Sequence, residues 1–206
     1  MTISEKILSQ FSTDEPIFIE DIAAIFSDKS RPWVDKVLKK MVDSQELKRF
    51  SNGVYYIPRK TIFGESTLDS DKIISKKYIE YGDTVYGYVA GTTLLNSLGL
   101  TTQVPNIITV ITNNEKSRGR KVMIGRQEMY LMKSPTEITK ENRAVLQLLE
   151  AVKLLNPDDL DETENKNLEK YIMQNSITLS DISKYCVYFP DSVSKKLLRG
   201  NLIGNV

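Results

Sequence analysis

The sequence predicts an α+β protein of two domains, and three observations lead there. Short helical and extended patterns alternate over the first sixty residues, extended runs dominate between Pro105 and Pro135, and helical periodicity returns beyond Pro135. With 206 residues and 40% hydrophobic side chains the chain can bury two small cores. Ile7, Leu8 and Phe11 give residues 4–11 one apolar face, with Ser4 as the expected cap. Ile17 to Ile19 is a short extended run, and Ile22, Ala23 and Phe26 line one face of a helix over 20–26. After a turn at 28–30, Pro32 opens a helix that runs through Ser44 on a stripe of Val34, Val37, Leu38 and Met41. Two β-prone runs, ELKRF and VYYIP, flank Ser51-Asn52-Gly53, and Asn-Gly favours a hairpin because both residues tolerate positive φ. Helix, strand, helix, turn, helix, hairpin is the order of a winged helix-turn-helix, assigned to residues 1–60. Residues 61–206 are expected to form a mixed α/β module ending in a helical segment.

Within that module, residues 62–71 read as a polar linker with docking contacts from Ile62 and Phe63. A helix over 69–81 turns Ile73, Ile74 and Tyr78 inward, and residues 85–88 are extended. Leu94, Leu95 and Leu98 mark a short helix with Gly99 at its left-handed C-terminal position. NIITVIT, RKVMI and QEMYLM are strands separated by turns at Asn113-Asn114 and Gly125-Arg126. Val145, Leu148, Leu149 and Val152 predict a helix over 139–155. Leu168, Tyr171 and Ile172 predict the next, then Ile182, Tyr185, Cys186 and Phe189, and after Pro190 a last one with Val193, Leu197 and Leu198.

Formal net charge is only +1, from 28 Lys+Arg against 27 Asp+Glu, so attraction to a polyanion has to come from how charge is distributed. Residues 1–28 hold one basic and six acidic side chains, and residues 29–60 hold nine basic and three acidic. The basic excess falls on the third helix and the hairpin. The candidate DNA-binding residues are therefore Lys29, Ser30, Arg31, Trp33, Lys36, Lys39, Lys40, Lys48, Arg49 and Asn52. Trp33 reads equally as packing at the helix start or as a ring lying on sugar-phosphate. The basic positions could also be no more than a solvated helix face.

The chain has no histidine, which removes the usual general base and the commonest metal ligand, and with a single cysteine a zinc site is not expected. No catalytic residue, metal or cofactor is assigned. Pro157-Asp158 with Glu164-Asn165-Lys166 echoes a nuclease signature, but the acidic run DDLDETENK suits a helix start better. SRGRKVMIG reads as a polar loop entering a hairpin, with Arg118, Arg120 and Lys121 as possible partner contacts. Cys186, four residues after Ile182, reads as a buried thiol. The lone cysteine, and the absence of a signal peptide or a run of roughly 18 apolar residues, lead to the expectation of a cytoplasmic protein without a membrane span.

At WVDKVLKKMVDSQELKRFSNGVYYIP the sequence resembles the N-terminal domain of AbiEi-type antitoxins, the regulators of abortive-infection (type IV) toxin–antitoxin pairs. YGYVAGTTLLNSLGLTTQVPNIITVIT and GRKVMIGRQEMYLMKSP resemble the central region of a related group, so the likeness covers residues 30 to 155. The resemblance implies a cytoplasmic transcriptional autoregulator whose winged helix binds inverted repeats in its own promoter DNA. It further implies that the C-terminal part counteracts a nucleotidyltransferase-like toxin without needing a stable complex. The sequence departs from the family pattern at the helix-to-wing junction Asp43-Ser44-Gln45-Glu46, which has no glycine, and at the wing tip, where Ser51-Asn52 carries little basic charge. Two other readings stay open: a winged helix that contacts protein rather than DNA, and a metal-dependent nuclease.

Overall fold

Thr2 and Glu5 form a reciprocal cap, each side chain taking the other's backbone N–H, and helix α1 (Ile3–Leu8) starts there. The cap is thus Thr2 rather than Ser4, because only Thr2 has a carboxylate three residues on to complete the exchange. The computed structural model describes residues 2–156 and 159–199, and the fold is mixed α+β. Contacts divide the chain into two units, residues 1–76 and 77–206.

In the first unit, β1 (Ile17–Phe18) leads directly into α2 (Ile19–Ile25), so Ile19 opens the helix instead of ending the strand. Asp21 stops the strand there, its carboxylate accepting from the Phe18 N–H at 2.9 Å. Helix α3 (Arg31–Asp43) follows, then β2 (Lys48–Ser51) and β3 (Val54–Tyr56). The strands pair in the order β1-β3-β2, all antiparallel. Ile7, Ile17, Ile22, Leu38 and Leu47 are completely buried among Phe26, Val34, Met41 and Tyr55, so the three helices and the small sheet share one apolar core. At the hairpin only Gly53 is left-handed (φ 75°), whereas Asn52 is not, and a bulge falls between Arg49 and Ser51. The extra residue in β2 supplies the twist that two left-handed turn residues would otherwise provide.

Gln45, in the junction where no glycine stands, has φ 61°. The Glu46 and Leu47 N–H groups both donate to the Met41 carbonyl, at 3.0 and 3.1 Å, so the chain has to turn sharply at that position. A side chain in the left-handed region costs roughly 1–2 kcal/mol. Gln45→Gly is accordingly expected to raise stability by about 0.5–1 kcal/mol after the greater freedom of the unfolded glycine is subtracted, measured by urea unfolding.

The first unit continues past residue 60 because the following segment folds back on it. Strands β4 (Lys60–Thr61) and β5 (Gly64–Glu65) form a small hairpin, and α4 (Ser70–Ile74) follows, with a π-helical turn over Ser75–Ile79. Ser66 ties the base of the hairpin: its hydroxyl donates to Asp14 and accepts from the Arg59 N–H, and its carbonyl accepts from the Tyr56 hydroxyl at 3.2 Å. Ile62 and Phe63, expected to dock, instead form the hairpin tip and are 93% and 94% exposed. The Thr61 hydroxyl donates to the Gly64 carbonyl at 2.7 Å and accepts from the Phe63 N–H, which turns both apolar side chains away from the unit.

The second unit opens with β6 (Glu80–Tyr81) and β7 (Thr84–Val85), then β8 (Gly87–Ala90), α5 (Gly91–Ser97), β9 (Ile108–Thr112), β10 (Arg120–Ile124) and β11 (Gln127–Lys133). Its main sheet runs β10-β11-β9-β8, with β9 and β11 parallel and the other pairs antiparallel. Gly99 takes the left-handed position after α5 (φ 67°). Helix α6 (Arg143–Leu154) begins later than the apolar stripe suggests. Asn142 uses its amide first, accepting from the Thr139 N–H and donating to the Glu137 carbonyl, which holds the preceding residues in a turn. Around α6 pack α7 (Glu162–Gln174), α8 (Leu179–Cys186) and α9 (Asp191–Arg199) on a core that includes Leu148, Leu149, Leu168, Ile182, Val193 and Leu197. Leu198 is 73% exposed, because Val193 and Leu197, four apart, align while the next residue is turned by about 100°. Cys186 is half-buried, with Sγ 3.1 Å from the Ser194 hydroxyl, so it borders the helical core instead of lying inside it.

Candidate nucleic-acid interface

Helix α3 owes its orientation to Val34, Leu38 and Met41, at most 1% exposed, which face α1 and α2 across the core. On a helix turning about 100° per residue this leaves Lys36, Lys39, Lys40 and Asp43 on the opposite side, and all four are exposed. Among the described residues none of the three lysines carries an ion pair.

The acidic side chains that precede them in the sequence are largely occupied. Arg59 pairs with Asp14 at 3.2 Å, Lys72 with Glu15 at 2.5 Å and Lys76 with Asp21 at 2.7 Å. The Lys76–Asp21 pair is the best shielded of these, and Lys76 also donates to the Pro16 carbonyl and lies over the Phe18 ring. Three of the six acidic residues of 1–28 are therefore matched by basic residues of 59–76, and among the described residues the α3 lysines make no ion pair, although Asp43 shares their face. Sequence reading missed this second basic set. Its one visible signal is Lys72 and Lys76, four apart in a helical pattern.

The other candidate residues fall into two groups. Lys29 pairs with Asp28 at 2.7 Å, Arg31 lies 3.7 Å from Asp35 and 3.9 Å from Glu20, and Lys48 pairs with Glu65 at 2.5 Å. The Lys29 contact holds the Asp28 carboxyl below its usual range, and the Glu65 contact raises the Lys48 ammonium above its own. At the hairpin tip the Arg49 guanidinium donates to the Asn52 side-chain oxygen at 2.6 Å and to the Ser51 carbonyl, without a carboxylate. Ser30 is the N-cap of α3 and makes no side-chain cap bond. Trp33 is half-buried with its ring 5.3 Å from that of Phe26 at 60°, so packing engages it and it is less outward than the pattern suggests.

In the second unit Arg118, Arg120 and Lys121 do not converge. Successive strand residues point to opposite faces, so Arg120 donates to Glu115 at 2.7 Å while Lys121 pairs with Glu128 at 2.8 Å; Arg118 is exposed in the loop before them. Glu115, 6% exposed, organises that loop by accepting from the backbone N–H of Ser117, its hydroxyl, and Arg120. These contacts, led by the Ser117 backbone, hold its carboxyl down at about 2, against 4.5 for an unperturbed glutamate. The folded form is thus favoured while Glu115 is ionised. Its contribution is complete above about 4.5 and is lost as pH falls through about 2. Glu115→Gln is expected to be less stable than the parent at pH 7, with the gap in urea midpoints closing as pH falls toward 2.

Within the acidic run, Asp161 caps α7: its carboxylate accepts from the Glu164 N–H at 2.8 Å, Glu164 returns the bond, and Glu162 pairs with Lys166. Pro157 and Asp158 lie outside the described residues. Among the described residues no group of three or more His, Cys, Asp or Glu is placed to hold a metal ion, and no helix is long and apolar enough to cross a membrane.

The profile of a family described as a family of unknown function (DUF6088) matches residues 2–179. The chain belongs to this family. The DUF6088 match takes in the first unit from residue 2 onward and the second as far as the start of α8. No curated protein and no solved structure matches the chain.

Proposed function

We infer that the first unit is a winged helix-turn-helix that binds double-stranded DNA, with α3 in the major groove and the β2–β3 hairpin as the wing along the backbone. The observation that carries this reading is the partition of charge. Asp14, Glu15 and Asp21 are paired by Arg59, Lys72 and Lys76, while Lys36, Lys39 and Lys40 stand exposed on one helix face and make no ion pair among the described residues. With Asp43 as the one carboxylate among them, these three lysines leave that helix face net positive. Affinity then comes mainly from phosphate contacts by the α3 lysines and Arg49, with Lys29, Arg31 and Lys48 contributing less because each already holds a carboxylate.

Together with the resemblance to AbiEi-type antitoxins, this makes the protein a cytoplasmic, non-enzymatic transcriptional autoregulator acting on inverted repeats in its own promoter. On this reading the second unit counteracts a nucleotidyltransferase-like toxin, and no stable complex between the two is required. The test has two parts. The purified chain should retard a duplex taken from immediately upstream of its own reading frame, with log Kd rising linearly with log salt. Co-expression should restore growth to cells carrying the toxin. Retardation that is absent at low salt would overturn the DNA-binding reading. Rescue that fails would overturn the antitoxin role alone.

A further inference from the structure

A second feature of α3 has a chemistry of its own. Between the start of α1 and the flank of α3 lies a groove of ≈ 460 Å³, within the usual range for small-molecule sites. Ile3, Trp33, Val37 and Met41 form its apolar wall, Thr2, Ser4 and Ser44 add hydroxyls, and Lys36 and Lys40 stand along one side, one helical turn apart. Ile3 is 43% exposed and Trp33 and Val37 are half-buried, so the apolar surface is open to a ligand without unpacking the core. Among the described residues neither ammonium has a carboxylate partner. Glu46 also lines the groove, and its carboxylate accepts from the Ser44 hydroxyl at 2.9 Å.

We propose that this groove is a binding site for a small organic anion with a flat apolar body, such as an aromatic carboxylate. The ring lies against Ile3, Trp33 and Val37, and the carboxylate reaches Lys36 and Lys40, away from Glu46. Charge complementarity selects this class: two unpaired ammonium groups beside an apolar wall disfavour a cation and give a neutral ring no polar anchor. The site itself stands independently of the DNA-binding reading, but its consequence rests on it. An anion there occupies two of the three lysines assigned to phosphate, so ligand and DNA exclude one another, and each lowers the other's affinity by the same factor.

Trp33 is the only tryptophan in the chain, so its indole N–H gives a single reporter inside the site. Titrating the full-length ¹⁵N-labelled chain with naphthalene-1-carboxylate is expected to shift that resonance saturably. Naphthalene-1-carboxamide, the same ring without the charge, should bind at least about tenfold more weakly, as should the carboxylate to a Lys36→Gln/Lys40→Gln variant. Both lysines are exposed, so the variant retains the fold, verified by its unchanged thermal midpoint. The proposal is overturned if the indole resonance does not move at millimolar carboxylate, if the carboxamide binds equally, or if the double variant binds as well as the parent. In a parallel arm, naphthalene-1-carboxylate is added to the chain bound to its promoter duplex. Release supports the regulatory consequence, and a ternary complex overturns it. Should the chain bind the carboxylate yet never bind DNA, the groove stands and the DNA-binding reading falls.

Discussion

Replacing Lys36, Lys39 and Lys40 together with glutamate is expected to abolish retardation of the promoter duplex. Each phosphate neutralised by a lysine contributes roughly 0.9 to the slope of log K against log salt, or nearly one log unit of affinity at 0.1 M relative to 1 M. Three lost contacts therefore cost about 500-fold at 0.1 M salt, and charge reversal adds repulsion to that loss. Single Lys→Ala variants on α3 should each flatten the salt slope by about 0.9, while Lys29→Ala and Lys48→Ala change it less. The difference follows from geometry. Asp28 and Glu65 already hold Lys29 and Lys48 at 2.7 and 2.5 Å, so those cations bring less free charge to a phosphate. The side chains of the triple variant are solvent-facing, and its circular dichroism and melting midpoint should stay near the parent's. Undiminished binding by that variant would remove α3 from the interface.

The largest expected effect on stability belongs to Gly87→Ala. A Cβ at this position would lie 1.9 Å from the Tyr78 carbonyl oxygen and 3.0 Å from that of Ile111, both backbone atoms. Neither can retreat cheaply. Strand β8 is held to β9 through the Gly87–Thr112 register, and next to it the Tyr86 N–H donates to the Ile79 carbonyl at 2.8 Å while the Tyr86 carbonyl accepts from the Asn113 N–H and the Thr112 hydroxyl. Overpacking against fixed backbone should cost roughly 3 kcal/mol or more, enough to leave the second unit poorly folded. Gly82→Ala is the control: its φ is 57°, but no atom lies within 4 Å of the added carbon, so only the backbone strain of about 1–2 kcal/mol applies. A Gly87→Ala chain whose urea midpoint equals that of Gly82→Ala would show that the close approach is relieved by movement.

Much of the fold is legible from local pattern. The stripe of Val34, Val37, Leu38 and Met41 and the left-handed Gly99 follow from rules acting within a few residues, although Val37 is half-buried where the other three are buried, and at the hairpin Gly53 is left-handed while Asn52 is not. The misreadings share a cause. Ile62 and Phe63 look like docking residues because apolar side chains are usually covered, and only the Thr61–Gly64 bonds and the Ser66 ties reveal a hairpin tip. Helix α6 starts late because Asn142 spends its amide on a turn, a choice its periodicity does not encode. Gln45 is the reverse case. The missing glycine is visible in the sequence, yet only the backbone shows that the left-handed turn is kept regardless.

The candidate site divides along the same line. Which lysines share a face of α3 is settled by covalent spacing, because a helix of fixed pitch places Lys36, Lys39 and Lys40 opposite whatever apolar stripe it buries. Which of the basic residues remain uncompensated is a matter of distance between segments far apart in the chain. Asp14, Glu15 and Asp21 find Arg59, Lys72 and Lys76 only once the residues after 60 fold back on the first helices. Sequence alone determined the amount of charge and its periodicity. Tertiary structure decided its pairing, because Coulomb attraction depends on separation in space and is indifferent to separation along the backbone.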